Sequence, residues 1–293
     1  MNNRTLRLRF ISLGLPALAG FVLLYLYPFI RSLWYSMLDR TREEFVFIDN
    51  YFELFQNRHY VHGLRNTFTF SMIGVICLVT LSVLLSFGLL RLGKRLAFIR
   101  HLLVMPMILP TVSAVFAWRL VFDNGILEVL TVYYEFAYGP HIALVNADMH
   151  DFWIILPLYL IYIWKNIGIN IIILSAAMAS IPPEVREAAE IDGARGFRLH
   201  RRVTLPLISP ALVFVTVLSF VNALKIFRES YLFFGGTDYP PDIAYTVQYF
   251  MNNMFRFGNY PHLSAASTIF TVIVVMFLVV VYIWESKYND KIY

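Results

Sequence analysis

Polar side chains that could hydrogen-bond a solute recur at helical spacing inside two long apolar stretches of the sequence. The two groups are Tyr159, Tyr162, Asn166 and Asn170 in the first stretch, and Ser219, Asn222 and Lys225 in the second. Residues three or four positions apart lie on one face of a helix. Amide and hydroxyl groups can bind the hydroxyls of a sugar, and tyrosine rings can cover its C–H faces. Lys165 adds a charge about 12 residues from one end of the first stretch, roughly 18 Å along a helix.

The same polar groups could instead join one helix to another. Lys225 and Glu229 are four residues apart, so they could also pair with each other on a single helix. A charged side chain at mid-membrane costs about 2.5–3.5 kcal/mol on insertion scales, so it usually faces a cavity or a partner. We therefore predict a solute path, with helix packing as its alternative, formed by Tyr162, Lys165, Asn166, Asn170, Ser219, Asn222 and Lys225.

The elements that must position these residues are membrane helices. The chain has 293 residues, of which 59% are hydrophobic and only 15% are charged, whereas soluble domains carry roughly 25% charged residues. Crossing a bilayer as a helix takes about 20 apolar residues. Six runs reach that length, at roughly 10–33, 67–90, 101–122, 152–178, 205–227 and 265–284. The sequence thus predicts an all-α integral membrane protein, with residues 1–293 forming one domain of six transmembrane helices.

The distribution of Lys and Arg predicts the orientation of these helices. Basic residues cluster in the N-terminal tail, in the segment after the second run, in the segment after the fourth run and in the C-terminal tail, whereas segment 123–151 has five acids and no Lys or Arg. The positive-inside rule therefore puts both termini and segment 180–206 in the cytoplasm. We read the net charge of +5 as topology and expect no nucleic-acid partner.

Two features of the apolar runs allow more than one interpretation. The first run follows basic residues, as a signal peptide does, but it is longer than the roughly 7–15 apolar residues of a signal core, so we predict a retained helix. The single cysteine, Cys77, lies inside an apolar run and is expected to be an inert core thiol.

The segments 34–66, 123–151 and 228–263 could form an outer cap or could be plain connecting loops.

Segment 180–206 interrupts two apolar runs with polar, helix-forming sequence. Ser180 or a neighbour can cap a helix, and proline is tolerated in the first turn. Gly193 should end this helix in a left-handed conformation. A second polar helix is predicted over 197–203, and Pro206 and Pro210 should bend the fifth membrane helix where it begins. Pro106 and Pro110 should likewise kink the third.

The surface of the first polar helix is suited to close contact with another protein. Ala188 and Ala189 have almost no side chain, and Glu187 offers a charged contact beside them. The alternative is an ordinary solvated loop. The residues we expect to dock are Glu187, Ala188, Ala189, Asp192, Gly193, Leu205 and Pro206.

The spacing of these residues is similar to a known signature. It runs E-A-A, three residues, G, nine residues, an aliphatic residue, one residue, then L-P, and here it reads Glu187-Ala188-Ala189, Gly193, Val203 and Leu205-Pro206. The chain resembles the permease subunits of ATP-binding-cassette importers, in the maltose/glycerol-phosphate branch. The resemblance extends over nearly the whole chain. One departure follows the fifth run, where many relatives have Phe-Asp and then Gly-Gly-Pro. This chain has Phe227-Arg228-Glu229 and Gly235-Gly236-Thr237 there.

The resemblance implies a machine of several chains in a bacterial or archaeal cytoplasmic membrane. A second, homologous permease subunit should pair with this one, two ATPase subunits should bind the E-A-A helices, and an external binding protein should deliver a sugar. The resemblance implies no catalytic site in this chain and no cofactor bound by it, with ATP and Mg on the ATPase subunits. The membrane helices would then alternate between inward-facing and outward-facing states.

Other functions remain as alternatives. Lys165 and Lys225 near the path keep open an anionic solute, such as glycerol phosphate or a sugar acid. A transporter driven by an ion gradient is expected to carry internal repeats and a carboxylate inside a membrane helix, and the six runs contain no Asp or Glu. A membrane-embedded enzyme would need a cluster of His, Asp or Glu at membrane depth, which the runs also lack.

Overall fold

The computed structural model describes residues 14–92, 97–122 and 146–289. These residues form α1 (Gly14–Tyr35), α2 (Asp49–Gln56), α3 (Arg58–Leu92), α4 (Ala97–Ile108), α5 (Thr111–Val121), α6 (Asn146–Ala179), α7 (Pro183–Ile191), α8 (His200–Leu207), α9 (Ser209–Ala223), α10 (Phe227–Phe233), α11 (Val247–Arg256) and α12 (Tyr260–Asn289). Within the described residues, one isolated antiparallel β-bridge pairs Leu38 with Phe45. The all-α prediction is confirmed. Predictions for residues 1–13, 93–96, 123–145 and 290–293 lie outside the described residues.

Four of these helices are long and apolar enough to cross a membrane. They are α1, α3, α6 and α12. The third and fifth predicted runs are instead bent pairs, α4 with α5 at 113° and α8 with α9 at 70°. The described residues therefore provide six spans if each bent pair crosses the membrane once.

Proline and its neighbours account for both bends. Pro110 has φ −55° and ψ 134° and forms the N-cap of α5, so the chain is extended where α4 would otherwise continue. Ile208, between α8 and α9, has left the helical region at φ −96° and ψ 11°, and Pro210 follows in the first turn of α9. Because proline has no N–H and its ring crowds the preceding turn, a continuous helix is disfavoured at both places. The predicted bends at Pro110 and between Pro206 and Pro210 are confirmed, whereas Pro106 lies inside α4 with no break in the helix.

The described residues form two compact units, one of 14–61 with 250–277 and the other of 62–249 with 278–289. In the first unit, the segment after α1 is folded against α2 and α12. The buried Asn50 side chain donates to the carbonyls of Ser36 and Leu38 at 2.9 and 2.7 Å. His262 Nε2 lies 2.9 Å from Glu53 Oε2. This predicted outer segment is therefore ordered structure.

The second unit contains the predicted solute path, and α6 is its central helix, in contact with α4, α5, α9 and α10. Gly168 allows α4 to approach α6 closely, since a Cβ added there would lie 2.2 Å from the carbonyl oxygen of Leu103. Cys77, on α3, is exposed, so the prediction of a core thiol is wrong. In a membrane protein, an apolar helix can direct a small apolar side chain outward as well as inward.

Candidate functional site

The Lys165 side chain joins three elements of the second unit through one ion pair and one hydrogen bond. Lys165 Nζ on α6 donates to Glu229 Oε1 on α10 at 2.6 Å and to Thr111 Oγ1, the first residue of α5, at 2.8 Å. The two charged side chains are only 16% and 14% exposed. The alternative in which Lys225 pairs with Glu229 is wrong, because Glu229 is turned toward α6.

The sequence reasoning missed this role for Glu229 and Thr111. Glu229 lies two residues past the end of the predicted fifth run, so the sequence places it outside the six membrane-spanning runs. The sequence did contain a signal for this role of Glu229. A lysine deep in an apolar helix usually faces an acidic partner, and Glu229 closely follows the polar residues Asn222 and Lys225 of the neighbouring predicted helix.

Two asparagines connect α6 and α9. Asn222 Nδ2 donates to Asn166 Oδ1 at 2.9 Å, and Asn166 Nδ2 donates to the carbonyl of Tyr162 at 2.8 Å. Both side chains are half-buried. These two members of the predicted solute path, on separate helices, are therefore in direct contact.

The remaining members of the predicted polar face lie in tight helix contacts. Tyr162 Oη donates to the carbonyl of Ser219 at 2.7 Å, and Asn170 Nδ2 donates to Ser219 Oγ at 2.8 Å. Tyr162, Asn170 and Ser219 are at most 2% exposed. Tyr159 stacks on Phe70 of α3, with ring centroids 4.5 Å apart. The polar face of α6 therefore packs against neighbouring helices at some positions and lines an open space at others.

That open space is a cavity of about 180 Å³. Its polar lining includes Lys165, Asn166, Asn222, Lys225, Arg228 and Glu229. Tyr162 also reaches it, whereas Asn170 and Ser219 are not among its lining residues. Lys225 and Arg228 are exposed.

The predicted docking helix is α7, and Gly193 ends it as expected. Gly193 has φ +84°. Its N–H donates to the carbonyl of Glu190 at 3.1 Å, and the N–H of Ala194 donates to that of Ala189 at 2.9 Å. This is the Schellman arrangement, in which a left-handed residue lets the last carbonyls of a helix find donors.

The predicted start of this helix is wrong in one detail. Pro182 is the N-cap and makes no side-chain cap bond, with Pro183 in the first turn. The Ser180 hydroxyl donates back to the carbonyl of Ala177 at 2.8 Å. The second polar helix also continues past residue 203, from a turn at Phe197–Leu199 into α8.

The two faces of α7 differ. Arg186 and Glu190 face a cavity of about 190 Å³ that Leu199 and His200 also line. Glu187 and Ala188 are exposed, Ala189 is half-buried, and Asp192 and Gly193 are exposed at the end. Ile191 is 87% exposed. The sequence reasoning missed Ile191, although an isoleucine three residues after Ala188 continues the same helix face.

An apolar cluster ties the segments on either side of α7 to two membrane helices. Leu174 and Met178 of α6 pack with Ile208 and Val215, and Ile181, Leu205 and other apolar residues pack against them. Ile181 precedes α7, whereas Leu205 belongs to α8 just before Pro206. The segments on either side of α7 are therefore packed against the ends of both α6 and α9.

The chain is a multi-pass helical membrane protein. It has a polar cavity between its helices and an exposed helix tethered to two of them, an arrangement suited to a transport permease. Residues 78–291 match the family described as "Binding-protein-dependent transport system inner membrane component". The chain belongs to this family.

Individual relatives agree with this assignment. The chain is 34% identical over 220 residues to the sn-glycerol-3-phosphate transport system permease protein UgpA of Yersinia pestis, covering 72% of this chain and 71% of that protein. It is 27% identical to the trehalose/maltose transport system permease protein MalF of Thermococcus litoralis, covering 98% and 99%.

Solved structures share the fold. A chain of a bacterial ABC transporter involved in the import of the acidic polysaccharide alginate superposes with a TM-score of 0.75 at 19% identity, over 96% of this chain and 95% of that one. A chain of a bacterial alginate ABC transporter in complex with an alginate pentasaccharide-bound periplasmic protein superposes with a TM-score of 0.74, also at 19% identity, over 93% and 92%.

Proposed function

We propose that this chain is the membrane-spanning subunit of an ATP-driven importer that translocates a saccharide handed over by an external binding protein. The observation that carries the proposal is α7, an exposed helix tethered at both ends to membrane helices. The family supports the transport role, and the names of its relatives, which include a trehalose/maltose permease, support a saccharide.

The proposal includes the partners of this chain. A second, homologous permease would complete the path, and two ATPase subunits would hold ATP and Mg and supply the energy. This chain would contribute no catalytic group. Both termini and α7 would lie in the cytoplasm, because the basic residues Arg195, Arg198, Arg201 and Arg202 follow α7.

The residues of this chain would convert a movement of the ATPase subunits into a movement of the cavity wall. The outward face of α7, with Glu187, Ala188 and Ile191, would bind the ATPase. The cluster around Met178 and Ile208 would pass the displacement to α6 and α9. Asn166 lies 12 residues before Met178, about 18 Å away along a helix, so tilting α6 would shift the cavity lining.

Replacing Gly193 with valine tests this coupling. A β-branched residue in the left-handed region costs about 1–2 kcal/mol or more, and nothing lies within 4 Å of the added Cβ within the described residues, so the change acts on the backbone turn. In the reconstituted complex we expect saccharide uptake and binding-protein-stimulated ATPase activity to be lost, with normal amounts of chain in the membrane.

The matched control is Gly193→Asn, because asparagine tolerates the left-handed conformation better than other side chains. It should retain most of the uptake. Normal uptake and normal stimulated ATPase activity in Gly193→Val would contradict a docking role for this turn.

A further inference from the structure

We infer that the solute of this cavity is anionic, a saccharide that carries carboxylate groups or a sugar or polyol phosphate, and that Lys225 and Arg228 determine this specificity. The inference rests on the proposed function, since it names the solute of the same path. It is carried by the charges that line the cavity.

The cavity has three cations and one carboxylate in its lining, Lys165, Lys225 and Arg228 against Glu229. Glu229 is already paired, because its Oε1 lies 2.6 Å from Lys165 Nζ. Lys225 and Arg228 form no side-chain hydrogen bond or ion pair with any residue in the described part of the chain. Two uncompensated positive charges therefore face the cavity.

The neutral groups of the cavity are partly occupied by one another, although each asparagine amide keeps a second N–H for a solute. Asn222 and Asn166 use an amide N–H each on Asn166 Oδ1 and on the carbonyl of Tyr162. The Tyr162 hydroxyl donates to the carbonyl of Ser219, and Thr111 Oγ1 accepts from Lys165. The strongest donors left for a solute are the ammonium of Lys225 and the guanidinium of Arg228.

Lys225 lies between α9 and α10 and Arg228 lies in the first turn of α10, and both side chains are exposed, so a solute that enters the cavity can reach them. A neutral saccharide would leave both charges unbalanced. A carboxylate or phosphate would balance them through charge-assisted hydrogen bonds, and the planar guanidinium matches either group with two parallel bonds. Both cations line the same cavity, so one anionic group or two neighbouring ones can meet both.

The test uses the complete transporter, purified with its ATPase subunits and second permease, reconstituted into proteoliposomes and supplied with its binding protein. Direct binding and ATP-dependent uptake are measured with three probes: neutral maltotriose, a galacturonate trisaccharide and glycerol 3-phosphate. We expect one of the two anionic probes to bind at least tenfold more tightly than maltotriose, and the identity of that probe distinguishes carboxylate from phosphate recognition.

Two variants and two controls separate charge from structure. Lys225→Gln and Arg228→Gln should each weaken binding of the anionic probe about tenfold or more, as expected for loss of a charge-assisted hydrogen bond, and should leave maltotriose unaffected. Lys225→Arg keeps the charge and should retain binding. Arg58→Gln removes one exposed positive charge outside the cavity lining and should change nothing.

The outcomes also separate this inference from the proposed function. ATP-dependent uptake of maltotriose that is equal in wild type and in Lys225→Gln, with no binding of either anion, overturns the anionic solute and leaves the importer intact. Equal loss of binding for all three probes in both glutamine variants also overturns it, because a structural role has no charge preference. Failure of the ATPase subunits to co-purify with the chain overturns the proposed function before any probe is added.

Discussion

At the residue scale, the polar face of α6 divides into side chains that line the cavity and side chains that hold helices together. Asn166 lines the cavity as well as bonding Asn222, whereas Asn170, four residues further along the same face, bonds Ser219 and does not line the cavity. This division can be tested with two substitutions of the same type.

Asn166→Ala should raise the half-saturating solute concentration for uptake about threefold to tenfold, the effect of losing one or two ordinary hydrogen bonds. Asn170→Ala should instead lower the melting temperature of the purified complex, because it leaves the buried Ser219 hydroxyl without its partner, at a cost of about 1–3 kcal/mol. Uptake assays and thermal denaturation of both variants provide the comparison. A larger uptake defect in Asn170→Ala than in Asn166→Ala would contradict the division.

At the element scale, the cavity depends on how closely α4 and α5 approach α6. The 113° break between α4 and α5 puts Thr111 at the start of α5, where its hydroxyl reaches Lys165. An unbroken third helix would carry Thr111 past this point. The bend is therefore part of the site.

Gly168→Ala tests the approach of α4 to α6. The added Cβ would lie 2.2 Å from a backbone oxygen of Leu103, so the helices must separate, at a cost of about 1–3 kcal/mol for overpacking. We expect a lower melting temperature and a lower yield of assembled complex. Gly88→Ala on α3 is the matched control, because nothing within the described residues lies within 4 Å of its added Cβ. There, alanine should be neutral or stabilising by about 1 kcal/mol, and equal effects at the two glycines would be inconsistent with close packing at Gly168.

At the scale of the whole molecule, the proposed orientation predicts which segments each side of the membrane can reach. In a Cys77→Ser background, Arg195→Cys lies in the turn after α7 and Tyr239→Cys lies in the predicted outer segment, and both native side chains are exposed. A membrane-impermeant maleimide should label Tyr239→Cys in spheroplasts and Arg195→Cys in inverted vesicles. The reversed pattern would overturn the positive-inside assignment.

The local features of the fold could be predicted from the sequence. Helical spans, the stop at Gly193 and the bends at Pro110 and near Pro206 all depend on hydropathy or backbone preferences within a few residues. The functional class followed from the spacing of Glu187-Ala188-Ala189, Gly193 and Leu205-Pro206, which is also a local pattern.

The partners of the polar side chains could not be predicted in this way. The sequence alternative paired Lys225 with Glu229 because they are four residues apart, but Glu229 bonds Lys165, 64 residues away. Likewise, the sequence grouped Asn166 with Asn170, and packing against α9 separated their roles. Helical spacing defines which residues share a face of a helix. Different neighbouring helices can pack against different positions along that face, so spacing does not identify the partner of each side chain.

The amino-acid sequence was sufficient to predict a helical membrane protein with a polar helix inside segment 180–206 that ends at Gly193, because burial in lipid and helix termination are governed by neighbouring residues. The folded arrangement was needed to see that Lys165 is neutralised by Glu229, that Asn166 contacts Asn222, and that Lys225 and Arg228 line the cavity. These outcomes depend on the angles at which α5, α9 and α10 meet α6, which no local pattern specifies.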